Sequence, residues 1–109
     1  MELSFSTPEI REICERRSEA TAKLGYDAAI ELARVLADVE ACGNFAEFQA
    51  MFGRQISDLG TSEKCLRMKA GNSVRFQSGH PRNLGAASVA TDWPTTTRLK
   101  IVAIEAADA

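Results

Sequence analysis

The sequence predicts an α+β domain, with an N-terminal αα hairpin and a short third helix packed on one face of a small antiparallel β-sheet. Two observations carry that expectation. Apolar residues recur with a period near 3.6 up to Gly53 and with a period of two beyond it. The chain has 109 residues, 45% hydrophobic and 26% charged, which is globular composition with room for one core. Residues 1–109 therefore read as a single domain.

Leu3 and Phe5 alternate with polar neighbours, which suggests a short first strand. Ser6-Thr7-Pro8-Glu9 is a helix start, with a hydroxyl cap, an early proline and a glutamate at the positive dipole end. Ile10, Ile13, Cys14 and Leu24 continue the stripe to Gly25, with Ser18-Glu19 a candidate break. A second helix is expected over 27–42, where Leu32, Val35, Leu36 and Val39 follow i, i+3, i+4, i+7. Asn44, with Glu47 three residues on, caps a third helix that buries Phe45 and Phe48.

Strand alternation follows in 66–70 and 74–77, around the turn signal Gly71-Asn72. A two-residue turn would set Met68 opposite Arg75 and mix the faces. A three-residue turn pairs Ala70 with Val74 and Met68 with Phe76, and is preferred. Arg67, Lys69 and Arg75 then share the other face, with Lys69 directly across from Arg75. Residues 78–92, rich in Gly, Ser, Ala and Asn, read as a long loop that carries His80 and Arg82. Residues 99–104 are apolar on both sides of the alternation, as in a central strand.

No apolar run approaches the roughly 18 residues of a membrane span, and Met1-Glu2-Leu3 lacks the basic start of a secretory signal. The expected location is the cytoplasm, with no membrane partner. Three widely spaced cysteines, Cys14, Cys42 and Cys65, fit neither a disulfide framework nor a zinc site. No metal or other cofactor is expected. The net charge of −2 hides an asymmetry, because residues 1–63 carry net −6 and residues 64–109 net +4. The basic half suggests an anionic partner surface, or simply a solvated sheet face. Trp93 is either an anchor that packs the loop against the core or a partner contact.

The strings "IREICERRSEATAKLG", "AAIELARVLADVEAC" with "NFAEF", and "DWPTTTRLKIVAIE" are similar to the helices and closing strand of a known group. In these the chain resembles the RelE/ParE-like toxin superfamily, specifically the HigB-type plasmid-maintenance killer proteins. The resemblance implies a metal-independent endoribonuclease, paired with a small antitoxin and acting through basic and aromatic side chains. It also implies an aromatic-arginine pair after the hairpin turn and a Tyr-His-like ending. This sequence has Asn72 and Ser73 at the first place and Ala106, Ala107 and Asp108 at the second. None of these supplies a guanidinium fork, a stacking ring or an imidazole. Arg75, two residues beyond Ser73, is the candidate catalytic substitute.

Two functions follow. The first is a non-catalytic, inhibitory protein-binding module on a toxin-like scaffold, encoded by a phage or other mobile element and docking on a host or defence complex. The second is an mRNA-cleaving toxin of a type II toxin-antitoxin pair, with RNA or the ribosome as partner. The expected partner- or RNA-binding residues are Arg67, Lys69, Arg75, His80 and Arg82.

Overall fold

The computed structural model describes residues 1–60, 62–79 and 92–106. Local chemistry starts its helices. Thr7 is extended, and its Oγ1 accepts the Ile10 N–H at 3.2 Å, so α1 (Pro8–Glu15) opens on a hydroxyl cap and a proline. The helix stops at Arg16 (φ −117°, ψ 116°) and resumes as α2 (Arg17–Leu24), so the break lies at Arg16 and not at Ser18-Glu19. Gly25 has φ 92°, a conformation closed to most L residues, and through it the chain turns from α2 into α3 (Tyr26–Ala41). Asn44 Oδ1 accepts the Glu47 N–H at 3.0 Å, while the Glu47 carboxylate reaches back to the Gly43 N–H. This reciprocal cap starts α4 (Phe45–Phe52).

The five strands are β1 (Glu2–Phe5), β2 (Ile56–Asp58), β3 (Glu63–Arg67), β4 (Ser73–Ser78) and β5 (Arg98–Glu105), in the order β1-β5-β4-β3-β2. β2 to β5 pair antiparallel, but β1 runs parallel to β5. The fold class is α+β as expected, and the sheet is mixed, which corrects the antiparallel expectation. The alternation of Leu3 and Phe5 fixes which side of β1 is apolar and says nothing of its direction. β2 corresponds to no expected strand, since three residues are too few to show a period.

The β3–β4 hairpin corrects the expected register. Leu66 pairs with Val74, Cys65 with Arg75 and Arg67 with Ser73, so residues 68–72 form a five-residue turn. Within it the Met68 N–H donates to Asn72 O at 2.7 Å and the Gly71 N–H to Met68 O at 2.9 Å. The Glu31 carboxylate on α3 accepts the Lys69 and Ala70 N–H groups at 2.6 and 2.9 Å. Charge-assisted bonds of this kind are about twice as strong as neutral ones, which favours the wide turn over two more rungs of ladder. The shift is by an even number of residues, so Leu66, Met68, Val74 and Phe76 all stay buried.

α3 and α4 cover one face of the sheet. Leu32, Val35, Phe45 and Phe48 meet Leu66, Phe76, Leu99 and Ile101 there. Trp93, in a 3-10 turn at Trp93–Thr95, has its ring 5.0 Å from Phe45 and 5.9 Å from Phe76. No helix of the described residues is long and apolar enough to cross a membrane.

Phe48 is 1% exposed and its ring meets those of Phe45, Phe52 and Phe76 at 5.0–6.1 Å. Phe48→Ala empties the joint between α4 and the sheet, and should cost about 3–5 kcal/mol in a urea titration. A loss below about 1 kcal/mol would show that α4 is not held by this core.

Candidate functional site

Because Leu66, Val74, Phe76, Leu99 and Ile101 turn toward α3 and α4, the opposite face of the sheet is largely polar and uncovered by any described helix. The pleat places Glu63, Cys65 and Arg67 of β3 on that face, beside Ser73, Arg75 and Gln77 of β4. Ala103, Glu105, Lys100 and Arg98 of β5 continue it, and Glu2 and Ser4 of β1 complete it. β5 contributes an extra residue opposite the Arg75/Phe76 step, a bulge at Val102 that brings Ala103 across from Arg75.

Arg75 stands in the middle of this face with carboxylates on both sides. Its Nε lies 3.0 Å from Glu105 Oε1 and 3.6 Å from Glu63 Oε1. Nε itself is shielded from solvent and makes no aligned hydrogen bond, so the contact to Glu105 is an ion pair without hydrogen-bond geometry. At the far edge Arg98 Nε meets Glu2 Oε2 at 3.1 Å. Among the described residues the face thus holds four cations, Arg67, Arg75, Arg98 and Lys100, against three carboxylates. The cations that the second half contributes to this face are nearly balanced there, because Glu2 and Glu63 come from the acidic half.

The expected site residues separate accordingly. Arg67 and Arg75 share the outer face, diagonal to each other. Lys69 leaves the strand and sits exposed in the 68–72 turn, its backbone held by Glu31. His80 and Arg82 lie outside the described residues, as do most of the 78–92 loop and Ala107 and Asp108.

Behind the turn lies a second surface that sequence reasoning missed. A groove of about 940 Å³ runs between the start of α3, the end of α4 and the 68–72 turn. Tyr26 and Met51, 67% and 56% exposed, line it together with Phe52 and Asn72. The only sequence signal was Tyr26 itself, an aromatic residue directly after a helix-ending glycine.

Compared with protein-family models, curated proteins and solved structures, the chain has no significant match in any of the three. The chemistry has to be read from its own side chains. Among the described residues no group of three or more His, Cys, Asp or Glu is placed to hold a metal ion. Two of the thiols, Cys14 and Cys42, are poor nucleophiles. Burial, with Glu15 adding to it, pushes Cys14 up to about 12. Burial likewise raises Cys42, with Glu47 and Asp38 adding and the N-terminal ammonium opposing. Lys64, on the core side of β3, places its ammonium 5.1 Å from the Trp93 ring and 5.5 Å from Phe45, and pairs with Asp58. That arrangement anchors the Trp93 turn rather than presenting an amine to solvent.

Two measurements check this account. Arg75→Glu brings three carboxylates together and should destabilise more than Arg67→Glu, whose effect stays within about 0.5 kcal/mol. High salt should narrow the gap between the two variants, whereas equal melting temperatures at low salt would contradict the Glu63–Arg75–Glu105 arrangement. At pH 8 a thiol titrating near 12 is thiolate in only about one molecule in ten thousand. Cys14 should therefore resist iodoacetamide at pH 8 and react progressively faster as the pH rises toward 12. Rapid alkylation at neutral pH would refute its burial.

Proposed function

We propose that this chain is a non-catalytic protein-binding module on a RelE/ParE-like, HigB-type scaffold, with α2 and α3 as its αα hairpin. It docks on a host or defence complex in the cytoplasm and comes from a phage or other mobile element. The observation that carries the non-catalytic part of this reading is the pairing of Arg75. An RNA-cleaving site of this kind works by offering uncompensated positive charge to a phosphate as charge develops on it. The Arg75 guanidinium already lies against two carboxylates, whose negative charge opposes an incoming phosphate. Asn72 supports the same reading. It stands where the resemblance expects an aromatic-arginine pair, yet it is buried in the turn at 2% exposure.

The binding part rests on the surfaces themselves. A polar, nearly neutral sheet face and an apolar groove with exposed Tyr26 and Met51 have the mixed character of protein interfaces. Electrostatic steering toward nucleic acid calls for a basic stripe.

Controlled expression in a bacterial host tests the reading. Growth should continue, and primer extension across abundant mRNAs should show no new ends. New cleavage that vanishes in Arg75→Ala would replace the binding reading with the mRNA-cleaving toxin.

A further inference from the structure

Asn72 is 2% exposed, and among the described residues nothing hydrogen-bonds its side-chain amide. Only its backbone carbonyl is used, by the Met68 N–H at 2.7 Å. Asn72 lines the groove between α3, α4 and the 68–72 turn, and its amide keeps contact with solvent there, open to a hydrogen-bonding partner. A primary amide offers one acceptor and two donors side by side, the complement of a peptide bond. The backbone groups of a helix are already used internally, whereas those of an extended chain are free.

The rest of the lining sets the side chains that such a strand would carry. Met51, Phe52 and Tyr26 supply apolar surface, with Met51 and Tyr26 largely in solvent. Asp27, Glu31, Arg34 and Asp38 form one stripe of α3 along the wall. Glu31 is spent on the turn amides, while neither Asp27 nor Asp38 ion-pairs among the described residues. Arg34, between them, is left to donate to carbonyl groups of a bound backbone. Asp27 and Asp38 are eleven positions apart on the helix, about 16 Å, a span that an extended chain crosses in about five residues.

We infer that this groove holds an extended segment of a partner protein, with apolar side chains against Met51, Phe52 and Tyr26 and its backbone hydrogen-bonded to Asn72. Two cationic side chains about four or six residues apart, and so on one side of the strand, meet Asp27 and Asp38. The inference rests on the protein-binding reading and names the surface that performs it.

Selection of a displayed library of random linear peptides on the full chain tests it, followed by calorimetric titration of the enriched peptides. The expected consensus is an apolar centre flanked by Lys or Arg about four or six positions apart. Tyr26→Ala and Met51→Glu, both at exposed positions that leave the fold intact, should weaken those peptides about tenfold or more. Asp27→Lys and Asp38→Lys should each shift the matching end of the consensus to acidic residues. Asn72→Ala should weaken binding with the circular dichroism spectrum unchanged, and Arg67→Glu should leave binding unaffected. No enriched peptide, an acidic consensus, or affinity indifferent to Met51→Glu would each overturn the inference. Peptides that enrich but are lost in Arg67→Glu would move docking to the sheet face, removing the groove and keeping the protein-binding reading. Arg75-dependent mRNA cleavage would remove that reading instead.

Discussion

The ring cluster of Phe45, Phe48, Phe76 and Trp93 holds the two halves of this chain together. Its members come from α4, β4 and the turn before β5, and their centroids lie 5.0–6.1 Å apart in tilted and edge-on pairs. Each such pair adds about 0.5–1.5 kcal/mol beyond the apolar area it removes from water. The cluster is tied at its rim by the Phe45 N–H to Thr96 O at 2.8 Å, and covered at one end by the Lys64 ammonium. A short helix with only Phe45 and Phe48 buried would otherwise have little to hold it on a sheet.

That joint decides which side of the sheet is available. Once Phe76, Leu66 and Leu99 face the helices, the strand period sends Arg75, Cys65 and Lys100 the other way. The outer face is then assembled from residues far apart in sequence. Glu63 and Glu105 reach Arg75 only because β3 and β5 flank β4. Charge that looks basic along the chain is compensated across it. A run of residues without a carboxylate is no guide to a surface potential when the neighbouring strands supply the carboxylates.

How far the sequence revealed this follows the range of each interaction. The caps at Thr7 and Asn44 are local, and both were legible in the sequence. The alternation in β3 and β4 is local too, so the split between core and outer face was right even though the register was not. Register depends on turn length, which here answers to Glu31, a residue 38 positions before Lys69. The direction of β1 depends on β5, nearly the whole chain away. The groove was illegible for the same reason, since its walls come from α3, α4 and a turn whose width no short string encodes.

Glu31 therefore has more consequence than one exposed-looking carboxylate suggests. By taking the Lys69 and Ala70 amides it fixes a five-residue turn, and that turn does two things at once. It places Cys65, not Lys69, across from Arg75, which leaves Glu63 and Glu105 as the charges that surround the guanidinium. It also draws Asn72 under the turn, at the base of the groove, instead of leaving it at an exposed hairpin tip. A turn at 71–73 would instead have set Lys69 across from Arg75, with opposed cations on the sheet. The quiet sheet face and the open groove are thus consequences of the same contact between α3 and the hairpin.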